Sequence, residues 1–227
     1  MYGIYSYAIL TITGRTRPDW QTTYGCEIME KMNAKFSCLV VTESSANGYR
    51  QRTIHNTRSA GLTAAFAVNF ETAGERLTRS AAGTNYVAIP LSEGTLTSAR
   101  LLYRALKHFD SHSLNIAGNG IHTLSTRNWH QDGLNAHLFE IISTVHKHWP
   151  LEKIVSGGQT GVDLAGLVCA FALDIPCVGT LPKGFLQRGV DGKDFENSAA
   201  EIRKQIENGA AALVKNEQEL RSERPGQ

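Results

Sequence analysis

The chain has 227 residues, 41% of them hydrophobic and 19% charged, which excludes a disordered chain and leaves room for a real core in one large domain or two small ones. A formal net charge of +2 gives no electrostatic basis for a nucleic-acid or membrane-surface partner, and neither is expected. No apolar run reaches the ~18 residues a bilayer span needs.

The first stretch, "MYGIYSYAILTITGRT", alternates as a strand does; it has no basic start and no small-residue cleavage site, so it is not read as a signal peptide. Strands are predicted at about 7–13 and 36–42, with a helix at 22–32 between them. Residues 43–61, "ESSANGYRQRTIHNTRSAG", read as a long loop carrying Arg50, Arg52, Arg58 and His55. From about residue 64, strand patterns at 64–70, 86–90, 114–117, 153–156, 176–180 and 211–214 alternate with helical ones at 74–82, 97–109, 131–148, 163–173 and 198–208. Such alternation predicts an α/β fold with a Rossmann-like, mostly parallel sheet and helices on both faces. The runs "TAAFAVNF" and "YVAIPL" are apolar throughout, as strands covered on both sides are. The tail "NEQELRSERPGQ" is polar. Cys26, Cys38, Cys169 and Cys177 are scattered without a C-x-x-C pair; they read as reduced, buried thiols of a cytoplasmic protein, and no metal is expected.

Three strand ends are candidates for a site. In "KIVSGGQTGVDLAG" an apolar strand runs into Ser156, Gly157, Gly158, Gln159, Thr160 and Gly161, then Asp163 and a helix. Glycines let the backbone approach a ligand, and the helix start offers unpaired N–H groups, so an oxyanion site is one reading. The other is a plain strand-to-helix turn capped by Thr160 or Asp163. "LNIAGNG" repeats the pattern with Gly118 and Asn119, and the two ends would form a shared ledge. In "TLPKG", Lys183 is either an oxyanion partner or a solvated surface lysine. Trp129 and His130 read as packing residues that could also cover a base.

At "IVSGGQTGVDLAG" and "IPCVGTLPKG" the sequence resembles the SLOG superfamily, in particular its molybdenum-carrier-like branch. The segments "RTIHNTRSAG…" and "LNIAGNG", which follow those motifs in that branch, precede them here, so the resemblance implies a circularly permuted SLOG-like order. On this reading residues 1–45 add a strand, helix and strand to a SLOG-like core at 46–216, with a polar tail at 217–227. The branch's Gly-Gly-Thr turn stands here as Ala73-Gly74-Glu75, and the longer P-G-G-x-G-T-x-x-E signature of the phosphoribohydrolase relatives is missing, which favours binding over turnover. The resemblance implies a phosphorylated, nucleotide-derived ligand, such as a cyclic or ADP-ribose-type molecule of antiviral signalling, held without turnover by a sensor or sink. Its phosphates would meet the 157–161 turn and Gly74, with Arg52, Arg58 or Lys183 supplying charge, and the protein would be a homo-oligomer. A nucleoside phosphate hydrolase or N-glycosidase with Asp163 or Glu75 as acid–base group is a second expectation. A carrier of molybdate or molybdenum cofactor is a third. No cofactor beyond a nucleotide-like ligand is expected.

Overall fold

The structure is a computed structural model that describes residues 38–45 and 48–222. The expected strand at 7–13, the helix at 22–32, Cys26 and most of the 1–45 addition lie outside the described residues. Six strands form one parallel sheet: β1 (Leu39–Glu43), β2 (Leu62–Ala67), β3 (Tyr86–Pro90), β4 (Ser113–Gly118), β5 (Lys153–Ser156) and β6 (Cys177–Leu181), in the order β1-β6-β5-β4-β2-β3. The helices are α1 (Tyr49–Arg58), α2 (Ala73–Ala82), α3 (Thr95–His108), α4 (Ile121–Ser125), α5 (Gln131–His148), α6 (Val162–Ala172) and α7 (Ala199–Ser222). A two-stranded antiparallel ribbon, β7 (Gln187–Arg188) and β8 (Asp194–Phe195), follows β6.

Right-handed crossovers place the helices. From β1 to β2 and from β2 to β3 the chain moves along the sheet in one direction, so α1 and α2 share a face and pack on each other. From β3 the chain turns back past β2 to β4, β5 and β6, which puts α3, α5 and α6 on the opposite face, with α7 packed on α6. The strands under both layers are apolar: all six residues of β2 are buried, and Phe66, Leu114, Ile116 and Ile154 are fully enclosed. The winding reverses between β2 and β4, and a crevice opens at their carboxyl ends, the place where open α/β sheets hold ligands.

Two elements differ from expectation. Residues 49–58 are a helix, not part of a loop: α1 buries Arg52, Asn56 and Thr57, polar groups that give no apolar stripe to read. The strand expected at 211–214 is helix instead. Ile202, Ile206, Ala210 and Leu213 recur at helical spacing and are buried along α7, which runs through residue 216 to Ser222. Among the described residues no helix is long and apolar enough to cross a membrane.

Candidate functional site

The crevice is a cavity of about 440 Å³. Its walls are a polar side of α1 (Tyr49, Arg52, Thr53, Asn56), the first turns of α2 (Ala73 to Glu75, Leu77, Thr78), the end of β4 and the residues after it, Gly157 and Gln159 beyond β5, Asp163 of α6, and Arg188 of the ribbon. That volume lies within the roughly 300–1,000 Å³ of small-molecule pockets.

Two strand ends are joined as a ledge. Ile121 N–H donates to the Thr160 carbonyl (3.0 Å) and Val162 N–H to the Asn119 carbonyl (3.2 Å). Gly161 takes φ 101°, and a Cβ there would lie 2.6 Å from the Asn119 carbonyl oxygen, so only glycine lets the two turns cross this closely. Much of the helix start at α6 is satisfied internally: Gly161 N–H donates to Gln131 Oε1 (2.7 Å) and Thr160 N–H to Gln159 Oε1 (3.2 Å). Inside the turn stands an anion of the protein's own. Arg52 Nη1 donates to Asp163 Oδ2 at 2.7 Å, with the two side chains 9% and 8% exposed. Burial pushes the Asp163 carboxyl upward, against the Arg52 guanidinium and the Gly118 backbone N–H that hold it down. Any side chain at Gly157 would collide with both partners of this pair.

Across the cavity, Thr72 caps α2 by accepting from Glu75 N–H at 3.2 Å. The first turn of α2, where N–H groups lack intrahelical partners and Thr72 takes only that of Glu75, lines the cavity with Gly74, where a Cβ would meet nothing within 4 Å. Glu75 is 3% exposed. Its Oε1 accepts from Asn119 Nδ2 (3.3 Å), and its Oε2 is buried without a partner. Desolvation first, then the charge of Asp163, pushes the Glu75 carboxyl up to about 8. A carboxyl held this high favours its protonated form at neutral pH, with Oε1 accepting from Asn119. Asn119 spends its remaining capacity on the β2–α2 connection, accepting from Val68 and Asn69 N–H and donating to the Asn69 carbonyl.

The ribbon closes one side. Arg188 makes two bonds to Asp194 (2.7 and 3.1 Å), its N–H donates to Gln159 Oε1 (2.6 Å), and its carbonyl accepts from the Thr160 hydroxyl. The Arg52 and Arg188 guanidinium groups both lie over the Tyr49 ring, 5.7 and 5.5 Å from its centroid.

Residues 154–200, from β5 to the start of α7, match the model of the circularly permutated YpsA SLOG family. The match, over about a fifth of the chain, and the parallel α/β sheet support a SLOG-superfamily assignment. No curated protein and no solved structure matches. The SLOG assignment carries a suggestion of nucleotide-related ligand binding and nothing finer.

Of the residues singled out in the SLOG-like motifs and around them, the fold brings Gly74, Glu75, Gly118, Gly157, Gln159, Asp163 and Arg52 to the lining of one cavity. Ser156 lies beneath it, its hydroxyl donating to the Ile116 carbonyl at 2.7 Å and lying 2.9 Å from the Asp163 carbonyl. Gly158, at φ 65°, turns away: a Cβ there would meet Leu181 at 2.7 Å. Thr160, Gly161 and Asn119 hold the ledge from outside the lining. Arg58 and Lys183 are exposed and stand off the cavity. Trp129 packs edge-on against His137 at 5.2 Å, also away from it. Tyr49, Asn56, His122 and Arg188 line the cavity without having been singled out. Only Asn56 sat in a recognisable segment, "HNTRSAG".

Proposed function

We propose that this cavity binds a phosphorylated, nucleotide-derived small molecule carrying one phosphate, as a sensor or sink. The observation that carries the reading is the set of unpartnered buried polar atoms. Arg52 Nε, both ends of the Asn56 amide and Glu75 Oε2 all belong to cavity-lining residues. A buried polar atom without a partner costs about 1–3 kcal/mol, so four around one space fit a surface built to be met by a polar ligand. The start of α2 at Gly74 supports a phosphate seat better than the 157–161 turn does, because that turn already surrounds Asp163. Arg52 is paired with Asp163 and Arg188 with Asp194, which leaves neither lining arginine free to hold a second phosphate beyond one at the start of α2.

Mass spectrometry of what heat denaturation releases from the freshly purified protein tests the reading. A nucleoside-type mass with one phosphorus is expected. A release of molybdate or a molybdenum cofactor would replace it with the carrier reading.

Glu75 favours a second reading, hydrolysis of an N-glycosidic bond. Its proton would pass to the leaving base as the C1′–N bond breaks; water would supply hydroxide to C1′ and return a proton to the carboxylate. Chromatographic detection of free base, lost in Glu75→Gln while binding survives, supports turnover; intact ligand after prolonged incubation supports the sink.

A further inference from the structure

Asn56 stands apart among the groups that line the cavity. It is 2% exposed, sits on α1 one turn beyond Arg52, and has neither its Oδ1 nor its Nδ2 satisfied by the protein. Asparagine is seldom buried in this state; an enclosed side-chain amide ordinarily finds partners. Its helix packs on α2, whose Glu75 lines the same space. The two arginines that line the cavity with it are accounted for, since Arg52 is bonded to Asp163 and Arg188 to Asp194. What Asn56 adds is therefore not charge but one donor and one acceptor side by side on a planar group. The complement of such a group is an edge with an acceptor beside a donor. Among nucleotide components, that is the edge of an amino-substituted base, where an exocyclic NH₂ neighbours a ring nitrogen; asparagine reads adenine in this bidentate way in nucleic-acid complexes.

We infer that Asn56 is the specificity-determining residue of the cavity, reading the amino edge of an adenine-type base through both ends of its amide. This rests on the nucleotide-binding reading above. With neither end fixed by a protein partner, the amide can be turned either way to match the order in which the base presents donor and acceptor. A base lacking the amine leaves one end of the amide buried without a partner, which is how a site built on hydrogen bonds rejects an analogue.

The test is calorimetric titration of the full chain with adenosine 5′-monophosphate and with purine riboside 5′-monophosphate, which differs only in lacking the 6-amino group. Wild type is expected to prefer the amino compound at least about tenfold, and Asn56→Ala to bind both with the same weakened affinity. Asn56→Asp, of nearly the same shape, keeps the acceptor and loses the donor, and should also lose most of the preference; unchanged far-ultraviolet circular dichroism and Tm show that both variants fold. Equal binding of the two compounds by wild type, or full discrimination retained by Asn56→Ala, overturns the inference while leaving the nucleotide reading standing. If wild type binds neither of these nor any other nucleoside monophosphate, both fall together.

Discussion

Arg52 and Asp163 meet from positions 111 residues apart and lock α1 to the turn after β5. Both are nearly enclosed, so removing one leaves a buried charge without its partner. Arg52→Met is expected to lower unfolding free energy by about 3–5 kcal/mol, and Arg52→Met with Asp163→Leu to recover most of it; urea denaturation of the two variants checks this. A single variant as stable as the double would mean the pair does not hold the charge. Glu75 makes the residue scale visible through pH. Its carboxyl ionises near 8 in the fold against an ordinary value of 4.5, so between those values the unfolded chain binds fewer protons than the folded one. This contribution to stability is complete below about pH 4.5 and is lost as pH rises to about 8. Glu75→Gln, neutral throughout, is expected to show a flatter decline of Tm across that window, read by calorimetry at several pH values. An unchanged slope would place the ionisation elsewhere.

At the scale of elements, α1 and α2 form the cavity wall, and they differ in how they could be read. Thr72 three residues ahead of Glu75 is a recognisable helix start, and α2 begins where that pattern puts it. Thr72→Ala should cost about 1 kcal/mol in denaturant unfolding, with no effect if the cap is idle. The helix α1 gave no such signal. Amphipathic patterns report faces buried against a core, whereas the buried face of α1 carries Arg52, Asn56 and Thr57. Its buried polar groups meet a buried carboxylate and a ligand-sized space, so the ordinary apolar code does not apply. The parallel sheet was legible because strands enclosed on both faces must be apolar along their length, as β2 is. The glycine turn after β5 was legible as a special backbone, but not the identity of what it surrounds. Glycine at 157 makes room for Arg52 and Asp163, and a sequence spacing alone does not distinguish a protein carboxylate from a ligand phosphate. At α7 a short apolar run, "AALV", passes for a strand; only the wider spacing from Ile202 to Leu213 separates the two.

Across the described residues, the sheet, the two helical layers and the crevice at the reversal of winding form one construction around a core that includes two enclosed thiols. Burial pushes the Cys169 thiol upward, and the Cys177 thiol to about 12. Neither forms thiolate at neutral pH, so a thiol reagent should label both only at the rate of unfolding, followed by mass spectrometry of peptides with and without urea. Rapid labelling of Cys169 in the native protein would contradict the packing of α6. The central claim concerns the crevice, and Gly74→Asp addresses it most directly. A Cβ at this position meets no protein atom within 4 Å, and an acid in the first turn of α2 favours the helix dipole while repelling a phosphate. Titration calorimetry of wild type and Gly74→Asp with nucleoside monophosphates is the decisive measurement. Saturable binding by wild type, weakened at least about tenfold in a variant whose Tm is equal or higher, is the predicted result. Equal binding by both proteins would contradict the placement of the phosphate at α2 and, with it, the reading of the cavity.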